Sequence, residues 1–321
     1  MPVAKSCGVA ALLLFNLAVL AQESAPFLDV DRDAALMTAG NAEAARDAFE
    51  AALSSDPGNQ RAQDGEVAAS ERLALDRRAA GDKDGALRDL LRARDFAPHS
   101  GRLLYDLGVL EDEMLLFKDA DKTLNAAEEF LPGDTRLLYA WARVKLDLGQ
   151  LGPAEEKMKA YLKQRPDDAT AHFGLGRIYQ LSLRFDEARL EFNKSIELHP
   201  LQTEAYYQLG DMALQQGELE EAAGNFEKTL SRNPKHGGAL AEMGEIYFKQ
   251  KKYEKAVAFL TAAISAAPDY QPGHYFLGLA LGRLGQAEES HRELDIATRL
   301  ADAEHGKAAH GRQLDDAVPG R

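Results

Sequence analysis

Charged and aromatic side chains recur at matched positions along this chain, and their chemistry is that of recognition. Arg102, Arg136, Arg143 and Arg177 stand in the first half of a periodic region, and Asp211, Glu242 and Glu245 replace them in the second half. Tyr105, Tyr139, Phe173, Tyr207 and Tyr275 are evenly stepped along the chain, with Ala241 filling the gap. Rings supply apolar contact, guanidinium groups grip carboxylates, and carboxylates take basic side chains. A surface with aromatic rungs and a change of sign along its length would hold an extended peptide in one direction.

Bond-breaking chemistry finds no such pattern. The sequence has no phosphate-binding GxxxxGK[ST], no HExxH and no GxSxG elbow. Gly174 and Gly176 lack the third glycine and preceding strand of a dinucleotide fingerprint. Glu288 and His291 share a helix face without companion ligands, which reads as a solvated pair before it reads as a metal site. His172 and His274 sit in a column otherwise held by Leu104, Leu138, Tyr206 and Leu240, so partial burial is expected of them. Asn193-Lys194-Ser195 matches a glycosylation sequon but lies inside a predicted helix. No catalytic residue, cofactor, metal or small-molecule substrate is expected, and the chain is read as a non-enzyme.

The elements that must position these side chains follow from the period. Pro98, Pro132, Pro166, Pro200, Pro234 and Pro268 are separated by one constant interval. The same step carries Ala86, Ala120, Ala154, Ala188, Ala222 and Ala256, then Ser290. It also carries Leu73, Leu107, Trp141, Leu175, Leu209, Met243 and Leu277. A column of Gly108, Gly176, Gly210, Gly244 and Gly278 has Ala74 and Ala142 in its gaps. A period of about 34 residues signals stacked supersecondary units. Within one repeat, Tyr206, Leu209, Gly210, Ala213 and Leu214 keep the spacing of one helical face. Gly217 breaks the stripe, and Ala222, Ala223, Phe226, Thr229 and Leu230 resume it. Each repeat is therefore predicted to be a pair of antiparallel helices closed by the proline. Ser100, Asp134 and Asp168 stand where N-caps are needed, and Asp84, Asp186, Glu220, Glu254 and Glu288 fall in first turns.

These columns resemble the tetratricopeptide repeat. The match is carried by Leu209-Gly210, Ala222, Phe226 and Pro234 in one repeat. In another it is carried by Leu175-Gly176, Tyr179, Ala188, Phe192 and Pro200. Seven contiguous repeats are expected over 66–304, from about Glu66 to Ala303, with Asp302 replacing the last proline. A degenerate eighth, over 22–65, keeps Ala45, Phe49, Ala52 and Pro57, but Pro57 lies seven places too far ahead of Pro98, which marks an insertion. Its first helix, around Asp29–Met37, is weak. The resemblance implies an all-α solenoid, a right-handed superhelix whose concave groove is lined by the first helix of each pair. It also implies a protein- or peptide-binding scaffold. In that architecture the aromatic column lies on the groove wall. Tyrosine is also common there in such repeats, so the ladder can equally be read as scaffold.

The net charge of −14 over 321 residues speaks against nucleic-acid phosphate and anionic lipid as partners. Residues 1–21 have one cation, Lys5, then an apolar run from Val9 to Ala21 interrupted by Asn16. This is the layout of a secretory signal cleaved after Ala21, giving a periplasmic or secreted protein; an uncleaved anchor formed by residues 9–21 is the alternative. Cys7 is the only cysteine, so the mature chain is expected to have no disulfide. The tail over 305–321 is poor in apolar residues and is expected to be disordered. A structural subunit of an envelope secretion, pilus or outer-membrane complex is the second functional reading.

Overall fold

A computed structural model describes residues 41–316 of the chain. The expected signal segment and the weak helix around Asp29–Met37 lie outside the described residues. Among those residues there are fifteen α-helices and no strand. They are α1 (Ala42–Ser55), α2 (Gln60–Ala79), α3 (Lys83–Phe96), α4 (Gly101–Glu113), α5 (Phe117–Phe130), α6 (Thr135–Asp147) and α7 (Leu151–Gln164). Then follow α8 (Ala169–Leu181), α9 (Phe185–Leu198), α10 (Thr203–Gln215), α11 (Leu219–Arg232), α12 (Gly237–Lys249), α13 (Tyr253–Ala266), α14 (Gln271–Arg283) and α15 (Ala287–Asp316).

Local chemistry accounts for the helix ends. Ser100 Oγ accepts from Leu103 N at 3.3 Å, Asp134 Oδ1 from Arg136 N at 2.8 Å and Asp168 Oδ1 from Thr170 N at 2.9 Å. Each thereby satisfies an amide that the helix leaves free. Second helices stop on a residue outside the helical region just before the proline, as at Asn233 with φ −128° and ψ 85°. Between the helices of a pair the chain turns through a left-handed residue. In the α10–α11 turn Gly217, at φ +80°, is followed by Glu218, whose N–H reaches back to the Ala213 carbonyl at 2.8 Å. The same conformation returns once per repeat, at Gly81, Leu115, Gly149, Leu183, Gly217, Lys251 and Gly285. Three of these seven positions therefore hold the turn without glycine.

The chain forms two compact units, Met1–Ala160 and Tyr161–Arg321, with the boundary inside α7. In the first, Leu90, Leu103, Leu107 and Leu110 form one core cluster and Leu124, Leu137, Trp141 and Val144 another. In the second, Phe226, Met243 and Ile246 form one cluster and Leu260, Leu277 and Leu281 another. The small columns are the points of closest approach. A Cβ added to Gly210 would stand 2.6 Å from the Phe226 ring, and one on Gly176 would stand 2.7 Å from the Phe192 ring. Ala188 and Ala222 are fully buried. The two column histidines are partly to fully buried and serve as staples. His172 joins Glu191 at 2.6 Å and the Pro166 carbonyl at 2.9 Å, and His274 joins Glu293 at 2.6 Å and the Pro268 carbonyl at 2.8 Å.

Two expectations about repeat boundaries are corrected. The seven-residue insertion is helix: α2 has 20 residues where α4 has 13. Seven residues make two turns to within about 20°, so the extension keeps its apolar face in register. Accordingly Ala62, Val67, Ala69 and Leu73 are all buried, and the boundary expected at 65/66 falls mid-helix. Asn59 caps α2, accepting from Ala62 N at 3.1 Å. Glu66, which the period places level with the caps Ser100 and Asp134, is inside the helix and fully buried. At the other end, α15 runs through Asp316, so most of the expected disordered tail is helical. No proline interrupts it before Pro319, and Gly306 and Gly311 each cost a helix only about 1 kcal/mol.

Candidate binding surface

Every side chain singled out for recognition lies on the first helix of a pair: Arg102 and Tyr105 on α4, Arg136, Tyr139 and Arg143 on α6, Phe173 and Arg177 on α8, Tyr207 and Asp211 on α10, Glu242 and Glu245 on α12, and Tyr275 on α14. Their rows follow from the constant step, which returns each helix to the same face.

In the first unit the arginines already hold carboxylates. Arg102 Nη2 lies 2.5 Å from Glu71 Oε2 on α2. Arg143 Nη2 lies 3.1 Å from the buried Asp112 on α4. Arg136 is bonded to its own helix cap, Asp134, at 3.0 Å, and its guanidinium lies 5.3 Å over the Tyr105 ring. The Arg136 hydrogen bond is the first reason that Asp134 titrates below the usual carboxylate range. Burial pushes Asp106 and Asp112 up, against the pull of Arg102 and Arg143 respectively. The positive half read from the arginines alone is therefore balanced internally. Tyr139 is half-buried beside them.

In the second unit the carboxylates keep less cationic company. Tyr270, the residue before α14, donates its O–H to Glu242 Oε1 at 3.1 Å and is hydrogen-bonded to Tyr207. Burial first, and Glu245 and Asp211 after it, raise Glu242 to about 7. Burial and the Glu242 charge raise the Tyr207 hydroxyl to about 12. Asp211 accepts from Gln180 at 3.3 Å and Gln215 at 3.0 Å; burial raises its pKa and Arg177 opposes the rise. Glu245 pairs with Lys249 at 2.7 Å. Thus Asp211, Glu242, Glu245 and Tyr207 form one coupled patch. Phe173 instead packs on Phe192, with ring centroids at 5.6 Å, and Tyr275, 42% exposed, packs on its neighbour Phe276.

Glu71, Asp106, Asp112 and Tyr270 were missed by sequence reasoning. Glu71 is the first member of the aromatic column, one step before Tyr105, and Asp106 is four steps before Glu242. Extending each column to its end would have found both. Among the described residues no group of three histidine, cysteine or acidic side chains is placed to hold a metal ion.

Two tetratricopeptide-repeat family models match the chain, one over residues 213–278 and one over residues 139–195 and 182–228. A tetratricopeptide repeat protein from Parabacteroides merdae ATCC 43184 is similar in structure, with a TM-score of 0.54 and 18% identity over 78% of this chain and 97% of its own. MamA (41-end) from Desulfovibrio magneticus RS-1 has a TM-score of 0.50 and 19% identity over 53% of this chain and 97% of its own. At those identities the likeness concerns the fold. No curated protein matches the sequence. Helix pairs recurring at a fixed interval, the small and proline columns that pack and end them, and the two matching family models lead to one conclusion: the chain is a tetratricopeptide-repeat protein.

Proposed function

We propose that this protein is a scaffold that binds another protein or an extended peptide on the faces of its first helices and catalyses nothing itself. The observation that carries this reading is that those faces are ordered in advance. Arg143 is fixed on Asp112, Arg136 lies over Tyr105, and Tyr207 and Glu242 are tied together through Tyr270. Side chains already held in one rotamer lose little freedom when a ligand arrives. The test is Tyr139→Ala combined with Arg143→Gln, which keeps a donor for Asp112. Cross-linking and capture from an envelope fraction should fall at least tenfold while the melting curve stays cooperative. Undiminished capture by the folded double variant would end this reading.

The cell-envelope setting belongs to the same proposal and rests on the layout of residues 1–21. N-terminal sequencing of the mature chain should begin at Gln22; a chain that keeps Met1 would refute cleavage. One observation favours the second reading, an assembly subunit. In the second unit Leu183, Leu190 and Leu201 are each about 70% exposed, apolar surface that an assembly partner would cover. Concentration-dependent self-association, lost on Leu190→Glu, would support it.

A further inference from the structure

Between α2 and α4 of the first unit lies a cavity of about 350 Å³ whose polar lining includes Glu71, Asp106, Arg102 and Arg78 and whose apolar lining includes Leu75 and Leu90. The Glu71 side chain is only 7% exposed, yet it is half satisfied. Oε2 meets Arg102, whereas Oε1 is buried and accepts no hydrogen bond within the usual geometric limits. A buried carboxylate oxygen without a donor is costly, and such sites are occupied by water, an ion or a ligand. Asp106 lies beside it, within hydrogen-bonding reach, so that the two carboxyls share a proton when one is present.

The cations around the cavity are largely committed. Arg78 is bound to Glu113, and Arg72 to Asp76 at 2.9 Å. Arg102 is the guanidinium that contacts Glu71, while Arg102, Arg136 and Arg78 all draw on the Asp106 charge. Burial first, opposed by Arg102 and helped by Asp106, raises Glu71 to about 7, so the carboxyl pair takes up a proton more readily than a free carboxylate does. A ligand that brings N–H donors and positive charge would satisfy Oε1 and take that proton's place. A planar guanidinium suits two adjacent carboxyls because its forked donors reach both. Leu75, 56% exposed at the margin, and the buried Leu90 supply wall for the aliphatic stem that such a side chain carries.

We propose that the cavity between α2 and α4 is the seat for an arginine side chain of the bound segment, with its guanidinium on Glu71 Oε1 and the Asp106 carboxyl and its methylenes against Leu75. This rests on the reading that first-helix faces bind extended polypeptide, and it gives that reading a charge preference at one subsite. An acidic chain of net charge −14 adds long-range attraction to the same ligand.

The probe is the pentapeptide acetyl-Leu-Ala-Arg-Ala-Leu-amide, compared with its citrulline twin, which has nearly the same shape without the charge. Both would be titrated into the full chain at low salt, with amide chemical shifts as readout. The arginine peptide should bind at least tenfold more tightly and shift amides of α2 and α4. Glu71→Gln should bring the ratio of the two affinities towards one. Arg102→Ala removes the competing internal guanidinium and should strengthen arginine binding several-fold, a gain that a merely destabilised protein does not give. Equal binding of the two peptides, or weaker binding by Arg102→Ala, would overturn the proposal. Neither result would touch the scaffold reading, which fails only on the capture experiment with Tyr139 and Arg143.

Discussion

Glu66 offers the sharpest test of the energetics. It is fully buried in α2. Ser70 Oγ donates to Oε1 at 3.0 Å, while Oε2 has no partner. Burial, reinforced by the Glu50 charge and opposed by Ser70, Arg46 and Arg92, raises its pKa from 4.5 to about 7. A carboxyl whose folded pKa lies above its unfolded value binds more protons when folded. Its contribution to stability is complete below about pH 4.5 and is lost as the pH rises through 7. A shift of roughly 2.5 units corresponds to about 3 kcal/mol at the upper bound, since one unit is worth about 1.4 kcal/mol. The replacement Glu66→Gln keeps an acceptor for Ser70 and removes the ionisation. Urea unfolding followed by far-ultraviolet circular dichroism at pH 5 and pH 8 reads the consequence. At pH 8 the variant should be the more stable by about 1–3 kcal/mol, and at pH 5 the two proteins should lie within about 1 kcal/mol. Glu71 and Glu242, also raised to about 7, act in the same direction in both proteins and cancel from the comparison. If wild type and variant shifted in parallel between the two pH values, the buried carboxyl would be carrying no such load.

The turn column supplies a second prediction. Leu115 (φ +62°) and Leu183 (φ +58°) are left-handed and more than 70% exposed, so Leu→Gly at either removes strain with little loss of burial. Each should gain about 0.5–1 kcal/mol by urea midpoint, and Gly217→Ala should lose a similar amount; no change in any of them would mean the conformation costs nothing. In the packed column, Ala188→Leu should lower stability by about 1–3 kcal/mol through overpacking against the paired helix. An unchanged melting temperature there would show the helix face to be misassigned.

The period revealed which residues are equivalent, because equivalence depends only on spacing. That was enough for the helix pairs, the caps at Ser100, Asp134 and Asp168, and the buried column at Ala188 and Ala222. It misled where equivalence by number is not equivalence by environment. Glu66 occupies the cap column, yet two extra turns of helix carried the capping role back to Asn59 and left the carboxylate in the core. Glu71 occupies the aromatic column but accepts Arg102. The arginines showed the same limit. From the sequence they were charges awaiting a ligand, whereas Asp112 and Glu71, each on the first helix of the preceding pair, already engage two of them. Ion pairing is decided by which side chains meet across packed helices, and a repeat register records only the helix each belongs to. The apolar columns were readable because apolar residues of similar volume replace one another in a core position at little cost. The charged ones were not, because whether an arginine is held in place before a ligand arrives depends on one carboxylate on the helix beside it. It follows that the informative residues in such a chain are the ones that break their column. Glu66 and Glu71 break theirs on the same helix, one leaving an acid in the core and the other pairing two carboxyls at the cavity.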